Sequence, residues 1–499
     1  MSGLGDVRGL AGWVPQRIAE VAPAVTVVGD VMLDGWWTGS IERFCREAPA
    51  PVVDVQRREY AAGGAANTAV NLAALGARVR ICGLTGNDDA GRRLRSILTD
   101  AGVDVTGLVA DDSVRTTTKY RIVGGDQVML RLDDTPESIP DAAAHRVAGT
   151  VAAATAGCDA VVVCDYGTGA VRGPVRSALL GMNPPPLTVV DSHDPAVWAD
   201  LRPDIVTPNA EEASRVLDRR LDTGSDRAAT VQARRSELLA ATGASAVVVT
   251  LDRDGTVLLG KDSEEHRTWA RPAVERQASG AGDTFVACLT AARAAGLPLA
   301  TSLDLAQAAA DVVVHRPGTS VCSTEDLAAH LDSFTDTALS EEELARRIQR
   351  DREAGRRVVL TNGCFDVLHR GHTRYLNQAK QLGDVLVVAL NDDASVRRLK
   401  GADRPINALA DRAGVIAALS CVDYVTVFAT DTPIPLIEAL RPDIYAKGGD
   451  YSAQMLEETP VVEAFGGIVR ILDYVPERST TAVLRKIRTS AEPMAEGTP

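Results

Sequence analysis

The sequence predicts an α/β protein with at least two parallel-sheet domains, and three observations carry that prediction. Short Val- and Ile-rich runs alternate with longer Ala- and Leu-rich amphipathic runs along most of the chain, as expected for buried parallel strands joined by helices. At 499 residues the chain is too long for one ordinary domain. The alternation is interrupted at 331–345 by a polar stretch that reads as a linker.

The elements follow in order. Strands are expected at Val25–Val28, Ala160–Cys164, Leu187–Val190, Ala246–Thr250, Val358–Leu360, Val385–Leu390 and Tyr424–Phe428, each a short run of branched residues. Helices are expected at Ala65–Leu75, Asp283–Ala295, Thr373–Leu382 and Leu409–Leu419. The consecutive prolines within 181–187 demand a loop. Ser340 is expected to end the linker and N-cap a helix, with Glu343 completing a capping box. The domain boundary is placed near residue 335. This gives a first domain over 1–332, a connecting and capping segment over 333–345, a second domain over 346–488, and a disordered tail over 489–499 that is small, polar and proline-containing.

Composition excludes several classes. The formal net charge of −14 argues against general nucleic-acid binding, which needs a basic surface. No run of 18 apolar residues is present, so no membrane helix is expected. The first twenty residues carry charges and a proline where a secretory signal needs an apolar core, so the expected location is the cytoplasm. The eight cysteines form no C-x-x-C pair and no metal-ligand spacing with the seven histidines, and they read as reduced thiols.

Two strings carry chemistry. Ser279-Gly280-Ala281-Gly282-Asp283-Thr284 precedes an expected helix. Glycines there let backbone approach a phosphate, and the free N–H groups of the first turn hold the anion. Asp283 in that turn could take a proton from an attacking hydroxyl, or could simply stabilise the helix start. Accompanying strings are Gly29-Asp30-Val31-Met32-Leu33-Asp34, Gly63-Gly64-Ala65-Ala66-Asn67, the run from Gly83 to Gly91, and Thr207-Pro208-Asn209-Ala210-Glu211-Glu212. Carboxylates and amides suit vicinal sugar hydroxyls. Helix capping or a polar helix face is the alternative for both Asn67 and Asn71, and it suits Asn71 better than Asn67. Arg131 reads either as a sugar-phosphate contact or as a solvated charge.

The second string is Thr361-Asn362-Gly363-Cys364-Phe365, closing a strand, followed by His369-Arg370-Gly371-His372 at a helix start. Histidines three apart can face the same phosphate and stabilise charge building on an attacked α-phosphorus. Gly371 leaves room for a nucleotide against the backbone. Asn391-Asp392-Asp393 could edge a ligand site, and Arg397, Arg398 and Lys400 read as a basic face. The neighbours of Cys364 explain the string without a reactive thiol.

Over residues 20–325 these strings resemble the ribokinase (pfkB-type carbohydrate kinase) family. That resemblance implies an α/β/α domain with a small β lid. It implies sugar contacts at Asp34, Gly63, Gly64 and Asn67, the base at Asp283, and phosphate held by Gly280, Ala281 and Gly282. It places Asn209, Ala210, Glu211 and Glu212 on the nucleotide side, with Glu212 toward Mg2+, and admits a monovalent cation. The later segment resembles the cytidylyltransferase-like branch of the H-x-G-H nucleotidyltransferases, a Rossmann-like parallel-sheet fold. It implies His369 and His372 as catalytic residues, nucleotide contacts at Thr361, Gly363 and Phe365, phosphate neutralisation by Lys447 and Arg478, and a helix capped by Ser479 and Thr480.

The two in this order resemble the bifunctional heptose-7-phosphate kinase and heptose-1-phosphate adenylyltransferase family, which implies ATP at both sites. The expected partners are sugar phosphates, with a separate 1,7-bisphosphate phosphatase acting between the two steps and a homo-oligomer as the assembly. The rival readings are another sugar-phosphate kinase fused to a GTP- or CTP-using transferase, and a scaffold of degenerate domains. The chain departs from the family pattern at Asp191-Ser192-His193-Asp194, where Asp-Pro-Lys-Gly is usual, and at Ala278-Ser279, where an aliphatic–Thr pair is usual. Arg370 occupies the variable place of the H-x-G-H string.

Overall fold

The computed structural model describes residues 13–125, 127–220, 227–261, 265–270, 278–332, 338–368, 370–401, 403–449 and 455–472. The chain divides into two compact units, the first running from Gly12 to Ala329 and the second from His330 onward.

The first unit is built on a nine-stranded sheet in the order Glu265–Thr268, Thr256–Gly260, Ala246–Thr250, Ile205–Val206, Leu187–Ser192, Ala160–Asp165, Ala24–Gly29, Arg78–Gly86, Asp104–Asp111. The seven strands from Ala246–Thr250 onward are parallel, and the first two form an antiparallel edge. The central runs Val161-Val162-Val163 and Val247-Val248-Val249 are fully buried, as expected of strands covered by helices on both faces. Burying each such valine contributes roughly 1.5–3 kcal/mol relative to exposure.

A four-stranded lid is made of Pro51–Gly64, Val31–Phe44, Thr118–Gly124 and Gln127–Asp134, in that spatial order. Its long hairpin leaves the main sheet directly after Asp30 and returns at Gly64. Thus the lid's root and the carboxyl end of a central strand meet at one place. The helix Ala65–Ala74 follows at once, and the helix Ala281–Ala294 packs against it.

The second unit is an all-parallel sheet in the order Ala338–Leu339, Tyr424–Phe428, Val385–Asn391, Val358–Gly363, Ile444–Gly448, Ile468–Leu472. Strand order reverses at Val358–Gly363, so a crevice opens outside its carboxyl end, where open α/β sheets bind ligands.

Two expectations change. The linker does not run to Ser340, because Ala338–Leu339 pairs with Val425 and Thr426 as an edge strand. The capping box at the helix Glu341–Glu353 is only half made. Ser340 Oγ accepts from the Glu343 N–H at 3.3 Å, while the Glu343 carboxylate is taken by Arg346 and Arg347 one turn later. The tail over 489–499 lies outside the described residues.

All eight cysteines are free thiols. Cys45 is partly exposed, whereas Cys82, Cys158, Cys164, Cys288 and Cys322 in the first unit and Cys364 and Cys421 in the second are buried.

Candidate active sites

In the first unit the helix Ala281–Ala294 begins at Gly280, which adopts φ +87° and offers no side-chain cap. The short bridge of Ala278–Ser279 to Gly318–Thr319 fixes the loop that leads into it. Its opening N–H groups have no intrahelical acceptors and face outward with the positive end of the helix dipole. Asp283 lies in this first turn. Its Oδ2 accepts from Asn67 Nδ2 at 2.8 Å and its Oδ1 meets the Tyr166 hydroxyl at 3.0 Å. Loss of water around Asp283 pushes its carboxyl up to about 7 against these bonds, with the negative charges of Asp191 and Asp34 adding to the rise.

The neighbours explain why these residue types stand here. A Cβ on Gly280 would lie 2.4 Å from Asn67 Nδ2, so only glycine lets the amide reach the carboxylate. Asn67 Oδ1 accepts from Asn71 Nδ2 at 3.1 Å, and Asn71 Oδ1 accepts from Thr284 Oγ1 and the Cys322 N–H. Asn71 is therefore a buried strut, whereas Asn67 is the residue that meets Asp283.

Asp34 sits at the root of the lid, 4% exposed. Its Oδ2 accepts from Thr319 Oγ1 at 2.8 Å and lies 3.5 Å from Arg121 Nη1. Desolvation outweighs these partners and raises its carboxyl. Asp34 Oδ1 and Arg121 Nη1 are both buried without a hydrogen-bond partner, an acceptor and a donor that one hydroxyl could satisfy together. Arg121 also donates to Ser279 Oγ at 3.0 Å and stacks over Trp36. Gly63 leaves the Asp34 carboxylate open, since a Cβ there would meet it at 2.9 Å. Gly64, at φ +56°, packs against Met32 and Tyr166. Arg131 lies on the exposed strand Gln127–Asp134, paired with Asp133 at 2.9 Å. It stands opposite Arg121 in the lid register, and Arg121 is the one that turns to Asp34.

Asn209 caps the helix Ala210–Val216, its side chain accepting from the N–H groups of Glu211 and Glu212. Glu212 returns the bond through Oε2, and its Oε1 meets His193 Nδ1 at 2.6 Å. By accepting from the imidazolium, Glu212 holds His193 above its ordinary pKa. Among the described residues no group of three or more His, Cys, Asp or Glu side chains could cage a metal. Both Glu212 oxygens are engaged, one by His193 and one by the Asn209 N–H, so a Mg2+ ion here would be reached through its own water shell.

In the second unit Thr361 and Gly363 close the central strand and Phe365 follows at φ +42°. A Cβ on Gly363 would meet the Phe365 ring at 2.9 Å. The Phe365 ring lies 5.4 Å from that of His372, in the helix Arg370–Lys380. Thr361 Oγ1 hydrogen-bonds the Tyr375 hydroxyl, which donates on to the Ala446 carbonyl at 2.9 Å. Lys447 Nζ donates to Asn362 Oδ1, Tyr445 Oη and Glu458 Oε1 at 3.0–3.2 Å. Burial opposes ionisation of Glu458, but Lys447, a backbone N–H and the Tyr445 hydroxyl together hold the carboxyl low. Burial raises the Cys364 thiol, which disfavours a nucleophile there. Asn391, Asp392 and Asp393 hold Ser395 Oγ, the Ser395 N–H and Arg412 respectively. Arg398 pairs with Asp431 at the surface. His369, Arg478, Ser479 and Thr480 lie outside the described residues.

The sequence reading missed Arg121, Tyr166, Thr319 and Glu458, which distant segments bring to the sites. Asp191 carried one available signal, its position at the carboxyl end of an expected strand.

Comparisons with known proteins give the family. A model of the pfkB family of carbohydrate kinases matches residues 23–149 and 190–326. A cytidylyltransferase-like model matches residues 360–486. The chain is 40% identical over 469 residues to the "Bifunctional protein HldE" of Pseudomonas aeruginosa (strain UCBPP-PA14), covering 93% of this chain and 97% of that one. It is 39% identical over 467 residues to the protein of that name from Hahella chejuensis (strain KCTC 2396), covering 93% and 96%. Phosphofructokinase-2 from Escherichia coli, solved in complex with substrates and products, matches with a TM-score of 0.52 at 20% identity, covering 62% of this chain and 97% of that one. This last likeness concerns the fold. The chain belongs to the family of bifunctional HldE proteins, a carbohydrate kinase and a nucleotidyltransferase in one polypeptide.

Proposed function

We propose that the first unit transfers the γ-phosphoryl group of ATP to C1 of D-glycero-β-D-manno-heptose 7-phosphate, giving the 1,7-bisphosphate. The second unit then transfers the adenylyl group of ATP to heptose 1-phosphate, giving ADP-heptose and pyrophosphate. The observation that carries this reading is the match to bifunctional HldE proteins over 93% of the chain, through both domains in one order. The substrates differ by one phosphate, so a phosphatase acts between the steps.

In the kinase, Asp283 accepts the C1 hydroxyl proton. A carboxyl pushed up to about 7 is matched to a proton taken near neutrality. The opening N–H groups at Ala281 and Gly282 hold the migrating phosphoryl group. A sugar hydroxyl donating to Asp34 Oδ1 and accepting from Arg121 Nη1 would satisfy both partnerless atoms, and Gly63 keeps that carboxylate accessible. Glu212 would hold a Mg2+ ion through water, and that ion would supply positive charge to the phosphates, with Asn209, Ala210 and Glu211 on the nucleotide side. In the transferase, His369 and His372 donate to the α-phosphate, Lys447 and Arg478 neutralise the other phosphates, and Ser479 and Thr480 belong to the nucleotide side. The enzyme acts in the cytoplasm as a homo-oligomer.

The test is turnover with heptose 7-phosphate and heptose 1-phosphate, supplied separately, across the four nucleoside triphosphates. ADP should form with the first sugar, and pyrophosphate with the second from ATP. Pyrophosphate from GTP or CTP instead would overturn the adenylyl assignment. A kinase silent toward heptose 7-phosphate would overturn the other half.

A further inference from the structure

Behind Asp283 stands a residue to which nothing so far gives a role. The Tyr166 hydroxyl lies 2.7 Å from Asp191 Oδ2 and 3.0 Å from Asp283 Oδ1. A phenol has one proton to donate. It therefore satisfies both carboxyl groups only when one of them is protonated and donates to the phenol oxygen. The remaining oxygens are taken from outside: Asn67 Nδ2 donates to Asp283 Oδ2, and Thr207 Oγ1 donates to Asp191 Oδ1 at 2.9 Å.

Tyr166 is held firmly in this position. It follows the strand Ala160–Asp165, its N–H donates to Asp30 Oδ2 at 2.9 Å, and its ring lies 5.4 Å from that of His193. A Cβ on Gly64 would come within 3.1 Å of the ring on another side.

We propose that Tyr166 and Asp191 form a proton relay that positions and resets Asp283. This rests on the kinase reading above. The C1 O–H bond breaks and its proton passes to Asp283, while the sugar oxygen forms a bond to phosphorus and the bond from phosphorus to the ADP oxygen breaks. The Asp283 proton then moves to the Tyr166 oxygen as the phenol's own proton moves to Asp191. Asp283 is again an ionised base and Tyr166 again a phenol, while Asp191 holds the proton and gives it up to solvent water at its partly exposed side before the next turnover.

The electrostatics favour sharing. Burial pushes Asp191 up to about 6 and Asp283 up to about 7, and it drives the phenol well above its ordinary value. Tyr166 thus carries protons only in exchange. The groups facing the trio are Asp30 just after the Ala24–Gly29 strand, Asp34 from the lid, Cys164 from the Ala160–Asp165 strand, His193 after the neighbouring strand, and Glu212 from the Ala210–Val216 helix. Two carboxyl groups coupled this closely titrate as a pair.

The experiment uses the full chain with Tyr166→Phe and Asp191→Asn, each read in two ways. The first is the pH profile of single-turnover phosphoryl transfer from ATP to heptose 7-phosphate. Tyr166→Phe removes a donor that favours ionised Asp283, so the acidic limb should move to higher pH. Asp191→Asn removes a neighbouring negative charge, so the limb should move to lower pH. Turnover should fall at least about tenfold in each, short of the about 10²–10⁴-fold loss expected for a missing base, with sugar KM nearly unchanged. The second readout needs no sugar: the infrared carboxylic C=O band, followed against pH. In wild type the last part of the band should fade in linked steps above the ordinary carboxylate range, and Asp191→Asn should show one step fewer there. Acidic limbs that coincide with wild type or move in the same direction would overturn the relay. So would an infrared titration unchanged in Asp191→Asn. A wrong sugar would show itself differently, as wild type inactive on heptose 7-phosphate with the linked infrared titration intact.

Discussion

Asn67 Nδ2 donates to Asp283 Oδ2 at 2.8 Å, joining the start of one helix to the start of another across 216 positions of sequence. The bond steers the carboxylate and lowers its proton affinity, against a larger push from burial. Perturbing either end should therefore change the kinase and leave the nucleotidyltransferase alone.

Asp283→Asn keeps the shape but cannot take a proton. Kinase turnover should fall about 10²–10⁴-fold, with adenylyl transfer unchanged. ADP formation from heptose 7-phosphate above about a tenth of wild type, set against that range, would remove Asp283 from the role.

Gly280→Ala tests the approach that glycine permits. The new Cβ would meet Asn67 Nδ2 at 2.4 Å, on a backbone at φ +87°. The left-handed conformation costs alanine roughly 1–2 kcal/mol. The variant should melt at lower temperature and lose kinase activity beyond what its folded fraction explains. Calorimetry beside the ADP assay separates the two effects, and full specific activity in the folded fraction would show that Asn67 need not reach Asp283.

His372→Ala should produce the reverse pattern. Removing a donor to the α-phosphate costs about 10²–10³-fold by comparison with other charge-stabilising donors. Pyrophosphate release from ATP and heptose 1-phosphate should collapse while ADP formation from heptose 7-phosphate is untouched. Normal pyrophosphate release would place the transfer site elsewhere.

His193 makes stability depend on pH with a definite sign. Its pKa in the folded chain is raised by Glu212. Such a group stabilises fully below its unfolded value of about 6.5 and loses that contribution as pH rises through the folded value. The side chain is 47% exposed, so solvent reduces the effect. The melting-temperature gap between wild type and His193→Gln should be widest near about pH 5.5 and close by about pH 8.5. A gap that widens with pH would mean that Glu212 does not hold the imidazolium.

Residues 1–335 and 338–499, expressed apart, should both be soluble and each keep its activity within about tenfold, or roughly 1.4 kcal/mol. The second piece retains Ala338–Leu339 and so its edge strand. Halves that are active only when co-expressed would show that the units depend on one another.

The parts of this molecule legible in its sequence are those written locally. The valine runs announced the buried strands, and Gly280–Thr284 announced a phosphate-ready helix start because glycine, acid and helix all fall within one turn. The lid strand Val31–Phe44 was not legible from periodicity. It passes from fully buried to exposed along its length, so no simple alternation survives. Tyr166 and Arg121 were hidden for another reason. Each acts through a contact more than 100 positions away, and nothing in its neighbours marks it. Arg131 was the more visible arginine, yet it lies on an exposed edge strand and pairs with Asp133, while its cross-strand partner Arg121 reaches Asp34.

The distribution of thiols gives the protein a built-in record of its own opening. Alkylating reagent added to the folded chain should mark Cys45, the one cysteine that is not buried. Exposing the first unit would add up to five further marks, at Cys82, Cys158, Cys164, Cys288 and Cys322, and exposing the second would add two, at Cys364 and Cys421. Brief pulses along a denaturant series, read by peptide mass, would then follow the unfolding of each catalytic half within a single unlabelled chain.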